Sequence, residues 1–253
     1  MNFNKIRLLA GRQWLENRKS FAFFAIGIAG SLALLFLITW HWRDSFSGGV
    51  NKGIFLIGLF VAGALFGHSI FKDLGSHAKN IWHLALPASA LEKLATALLY
   101  GFFIFLASYI ILFYVVEGFH LWIINDKSTN VPHTDLFGNR FYMFVFTFIK
   151  FQLFILLGTL YFKKLALLKT IILLILLFFF STNANVYFLK WMTGEESITS
   201  ALPFDYFQFI YGGENVYVYL PGYAELIVQV LLDYCLPIAL LYIIYVRFTE
   251  TEV

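Results

Sequence analysis

Charge is what this sequence has least of. Of its 253 residues, 18 are Lys or Arg and 15 are Asp or Glu, together 13% of the chain, where an ordinary soluble domain carries about a quarter. That shortage excludes an ordinary soluble globular protein. Cysteine is nearly absent: Cys235 is alone, so no intrachain disulfide can form, and it lies inside an apolar block where it says nothing of redox compartment. No Gly-Lys dipeptide occurs, which excludes the phosphate-cradling G-x-x-x-x-G-K-[ST] loop and with it a P-loop ATPase within this chain. An H-E-x-x-H zinc pair and a G-x-S-x-G nucleophile elbow are missing too, so neither metalloprotease nor hydrolase chemistry is expected. His68, His77 and His83 share no helical face and have no cysteine nearby, so they do not read as zinc ligands. The net charge of +3 is too small to argue for nucleic acid. No catalytic residue, metal or nucleic-acid partner is expected of the chain.

What is present is apolar: 60% of the residues are hydrophobic and 20% aromatic, gathered in long blocks almost free of charge. Blocks of about 18 or more such residues read as bilayer-spanning helices. They place spans at 21–40, 53–71, 95–116, 141–161, 165–181 and 226–246, the fifth being short. The predicted fold is an all-α polytopic membrane protein, a single domain over 1–253 with six transmembrane helices. The first block follows a basic stretch and lacks a small-residue cleavage site before the next polar residues, so it reads as a retained helix and not a cleaved signal.

The basic residues orient it. With the N-terminus inside, Lys5, Arg7, Arg12, Arg18, Lys19, Lys72, Lys79, Lys93, Lys163, Lys164 and Arg247 fall on the cytoplasmic side, and only Arg43, Lys52, Lys127, Arg140 and Lys190 fall outside. Both termini are therefore expected in the cytoplasm of a cell whose plasma membrane, the inner membrane in a bacterium, holds the protein.

Two cytoplasmic stretches carry patterns of their own. In residues 1–20, Phe3, Ile6, Leu9, Ala10 and Trp14 fall on one helical arc and Lys5, Arg12 and Lys19 on another, as in an amphipathic helix lying on anionic lipid; a basic flank that only sets topology is the alternative. In 72–94, Leu74, Ala78, Ile81, Trp82 and Ala85 recur at helical spacing opposite a polar face, and Pro87 ends the run. Ser89 and Glu92 then stand in the S-x-x-E relation of a capping box that restarts the chain into the third span. A plain connection needs only a few residues, so the amphipathic helix and its restart suggest a docking surface, with a plain interfacial elbow as the alternative.

The external segment 182–225 holds eleven aromatic residues, among them Trp191, Tyr206, Tyr211, Tyr217, Tyr219 and Tyr223. Rings of this kind favour the headgroup layer, so short helices or a re-entrant element on the outer leaflet are expected, with a small folded cap unrelated to substrate as the alternative. The other external connection, 117–140, is polar. Within the spans, Lys150 and Asp233 come at nearly the same depth counted from the external ends. Each charge alone would cost a few kcal/mol, so an ion pair between the fourth and sixth spans is expected, either holding helices together or lining a polar path. Pro237 should kink the sixth span, and Gly63, Gly67, Ala25, Ala29 and Ala33 permit close helix contact, within the bundle or between copies.

This layout resembles the membrane subunit of an export-type (type-2) ABC transporter: a basic N-terminal helix, six spans, an amphipathic helix after the second, and a long aromatic segment before the sixth. LPASALEKLATALLY at 86–100 is similar to the stretch that leads these permeases into their third span. The resemblance implies a permease that pairs with a second copy or a paralogue and with a separate ATPase, which would hold the ATP and Mg. It makes residues 73–85 the coupling helix, with Leu74, Ala78, Ile81, Trp82 and Ala85 as the ATPase-docking face. Export of a substrate that the sequence does not name would follow. A non-transporting membrane scaffold or assembly factor would show the same spans without an ATPase partner.

Overall fold

The computed structural model describes residues 3–41, 48–75, 89–124, 133–138, 141–162, 164–202, 206–211, 214–219 and 221–252. They form six long apolar helices, each long enough to cross a membrane, and one small sheet. Helix α1 runs Phe3–His41 and α2 Gly48–Gly75. Helix α3 joins Ala90–Leu98, a π-helical turn Leu99–Ile104, and Phe105–Ile124. Helices α4 and α5 are Phe141–Tyr161 and Ala166–Thr193. Helix α6 again contains a π-turn: Gly222–Val230, Leu231–Cys235, Leu236–Glu252. Six crossings put both termini at one end, called here the termini end; the opposite end carries the sheet.

Helices α2 and α4 pack on one another at the centre, α1 and α3 lie to one side, and α6 and the start of α5 to the other. Small residues set the closest approaches. A Cβ on Gly63 would fall 2.7 Å from the Phe148 ring and 2.8 Å from Gln152 Nε2, and one on Gly67 would collide with Gln152 Oε1. The glycine pair of the second span is thus used inside the chain, against α4. Gly58 makes room for the Tyr109 hydroxyl, which donates to the Phe55 carbonyl at 2.9 Å. Aromatic rings fill the space between: Phe36, Phe55, Phe113, Phe105 and Phe148 are all buried, with Phe55 and Phe113 edge-to-face at 5.1 Å and Phe105 stacked on Phe148 at 5.8 Å.

Three expectations change. The N-terminal stretch is not a separate helix lying on the membrane: α1 is one helix of 39 residues, about 58 Å long at 1.5 Å per residue, and a helix continuous with a span leaves the membrane plane with it. Its inner face packs on the start of α3, where Tyr100 Oη donates to the Ala10 carbonyl at 2.7 Å and stacks on Phe21; Ile6 is buried and Trp14 is exposed. The segment before the sixth span is not made of short helices. Helix α5 continues to Thr193, and an antiparallel sheet follows in the order β1-β2-β3: Ile198–Ala201, Tyr206–Tyr211 and Glu214–Tyr219. The tyrosine-rich alternation pairs Tyr206 with Tyr219, an aromatic cross-strand pair of the kind that stabilises a sheet, and the Tyr206 ring also meets that of Tyr217 at 5.7 Å. Third, the polar connection after the third span starts later, because α3 runs to Ile124 and takes Glu117 into the helix.

Helix α5 stands apart from the rest. Its first turns touch α4, its far end touches β1, and along the middle Ile175, Leu177, Phe178 and Phe179 are exposed. The apolar run gives way at Ser181–Asn185, where Asn185 Nδ2 donates to the Ala201 carbonyl at 3.4 Å. The turn that enters α5 holds Leu165 at φ 53, a left-handed conformation that costs a residue with a Cβ about 1–2 kcal/mol.

Candidate functional site

The docking face expected on 73–85 falls mostly outside the description: Leu74 lies in the last turn of α2, and Ala78, Ile81, Trp82 and Ala85 lie outside the described residues. The restart after it is described. Ser89 Oγ accepts from Glu92 N at 3.4 Å, and Glu92 Oε2 accepts from Ser89 N at 3.0 Å, so both halves of the capping box are made. Helix α3 therefore begins at a defined residue at the termini end, beside α1.

Lys150 and Asp233 meet. Lys150 Nζ donates to Asp233 Oδ1 at 2.7 Å, and the two side chains are 20% and 16% exposed. Lys150 is nine residues into α4, about 14 Å from its sheet end at 1.5 Å per residue. Asp233 sits in the π-turn of α6. Pro237 explains that turn: it has no N–H for the Asp233 carbonyl, and its ring would press on that carbonyl in a regular helix. The backbone widens instead, Leu236 N bonding the Leu231 carbonyl five residues back. Where the kink is expected the helix carries a π-turn, a feature frequent at functional sites, and Tyr234 beside Asp233 packs edge-on against Phe146 at 5.4 Å. Two residues beyond Lys150, Gln152 turns the other way, into α2. It is fully buried, and among the described residues neither side-chain amide atom has a hydrogen-bond partner.

A second polar centre lies at the sheet end, where the sequence promised only a loop. Glu117 is fully buried. Its Oε1 accepts from Thr134 N at 3.1 Å and from the Thr134 hydroxyl, and its Oε2 lies 3.4 Å from His133 Nδ1. Tyr114 Oη, one turn earlier, donates to the Thr134 carbonyl at 3.2 Å, while Phe137 stacks on Tyr114. These contacts clamp 133–138 over the ends of α3 and α4. The signal that could have found Glu117 is its place: a lone acid in helical continuation of an apolar run, with aromatic residues on either side. No group of three or more His, Cys, Asp or Glu side chains suited to a metal occurs among the described residues.

Compared with known protein families, with curated proteins and with solved structures, the chain matches none.

Proposed function

We infer that this chain is the membrane-spanning, permease-type subunit of an export-type ABC transporter, with ATP hydrolysis in a separate polypeptide. The observation that carries the reading is the construction of the termini end. A polar, amphipathic stretch over 72–88 is followed by a fully made capping box at Ser89 and Glu92, and the extended start of α1 is braced beside it through Tyr100 and Ala10. A docking platform for a second protein needs such rigid flanks. The sequence has no nucleotide loop of its own, so a motor would be recruited there. The Lys150–Asp233 pair on the π-turn supports the reading from the other side, since an ion pair held within a bundle can be made and broken as helices shift.

Mild-detergent affinity purification of the full chain tests it. An ATPase with a phosphate-binding loop is expected to co-purify, its hydrolysis depending on this chain, and Ile81→Glu with Trp82→Glu should release it while membrane insertion is unchanged. An unaltered complex in that variant, or no ATPase in the parent, removes the proposal and leaves a scaffold or assembly factor.

A further inference from the structure

Beside the Glu117 clamp is a cavity of about 310 Å³, at the lower bound of the roughly 300–1,000 Å³ that small-molecule sites occupy. It has three walls. Helix α2 supplies Lys52, Phe55 and Leu56, α4 supplies Phe141 and Phe144, and the clamped loop supplies Asp135, Leu136 and Gly138. Phe55 and Leu136 are buried at its floor, whereas Lys52 and Asp135 are exposed at its edge. The cavity therefore offers one cation and one anion above an aromatic floor.

Among the described residues, neither charge is taken up in an ion pair: no carboxylate pairs with Lys52 and no cation with Asp135. Asp135 spends Oδ1 on the amide of Phe137, two residues on, at 3.1 Å. Its Oδ2 is directed at Gly138, where a Cβ would sit 3.2 Å away, so the absence of a side chain at 138 keeps that oxygen clear. The depth is also specific: Lys52 lies in the second turn of α2 and Phe141 opens α4, where a spanning helix passes from hydrocarbon to headgroups. A fully buried carboxylate is costly within a span, and Glu117, through Thr134 and His133, holds the loop that forms the third wall.

We propose that this cavity binds a phosphodiester–ammonium zwitterion, the headgroup chemistry of zwitterionic phospholipids, with the phosphate on Lys52 and the ammonium between Asp135 and the rings of Phe141 and Phe144. Lys52 supplies a charge-assisted donor to phosphate. A quaternary or primary ammonium over aromatic faces gains from their negative quadrupole, and the carboxylate adds to it. The site stands apart from the motor-coupled reading, and its test reads binding alone, so failure of one leaves the other untouched.

The full chain in maltoside micelles is titrated with diheptanoylphosphatidylcholine, with diheptanoylphosphatidylglycerol of the same chain length, and with soluble glycerophosphocholine, following the rise in Tm. The choline lipid is expected to bind saturably and about tenfold more tightly than the glycerol lipid, with Lys52→Gln and Asp135→Asn each weakening it about tenfold, the size of one charge-assisted contact at a partly exposed site. Gly138→Val should weaken it as well, by crowding Asp135. Binding of glycerophosphocholine with the same dependence on the two charges supports the site and identifies a free zwitterion as sufficient; its failure beside a positive choline lipid supports the site with the bilayer as source. Equal affinity for the two lipids, or affinity unmoved by Lys52→Gln, overturns the proposal. The lipid comparison on the unaltered chain decides the matter even where Asp135→Asn loosens the loop.

Discussion

A few side chains decide how closely these helices approach, and their substitution has consequences that can be calculated. Gly58 is one, because the Tyr109 hydroxyl occupies the place a Cβ would take. Gly58→Ala is expected to destabilise the protein by about 1–3 kcal/mol through overpacking, and Tyr109→Phe, which removes the hydroxyl, should recover part of the loss; unfolding in detergent followed by tyrosine fluorescence or circular dichroism checks both. For the ion pair, Lys150→Met or Asp233→Leu alone leaves one charge in the bundle and should cost about 2–3 kcal/mol, the lower part of the usual range because both groups are partly exposed. The double substitution should cost less than the sum of the singles, and strict additivity in the cycle would show that the two side chains do not interact. Both partners were legible in the sequence, because two lone charges at one depth in apolar runs have few ways to be tolerated. Gln152 was not: an uncharged amide in a span raises no alarm, and only the packing reveals that it lies between two glycines.

At the scale of elements, boundaries were legible where apolar runs begin and end, and less so where a polar residue is absorbed into a helix. Glu117 ended the third span in sequence because a carboxylate is costly in hydrocarbon; the structure keeps the helix going since Thr134 and His133 supply the partners. That bargain predicts a mechanical effect. Glu117→Ala should free 133–138 and speed tryptic cleavage at Lys127 or Arg140 on the sheet side, while Glu117→Gln, which retains an acceptor for Thr134, should protect more of it. The sheet was missed for a different reason. FQFIY, Gly-Gly, ENVYVY is a hairpin pattern of alternating strands about a two-glycine link, but in so aromatic a chain the rings read first as membrane belt. The π-turn of α6 lay equally hidden: Pro237 announces that the helix must adjust, not how, and the adjustment is a widened turn at Asp233.

For the whole molecule, composition alone established the class, since six apolar helices follow from six apolar blocks. The side of the membrane to which each end belongs rests on the distribution of lysine and arginine, and it can be measured. In a Cys235→Ser background, a single cysteine placed at Glu196 is expected to react with a membrane-impermeant maleimide in intact cells, and one placed at Lys164 only after lysis. The reverse pattern would invert the orientation. Helix α5 adds a consequence of another kind. Its apolar stretch, broken by Lys169 near its start, spans the fifteen residues 166–180, about 22 Å of helix against a hydrocarbon layer of about 30 Å, and among the described residues no neighbour shields its middle. A short apolar stretch on such an unshielded helix draws the lipid around it thinner. Thickness mismatch is thus concentrated on one flank of the protein, and longer acyl chains would load that single helix, and the sheet tied to its end, before they strain the rest of the bundle.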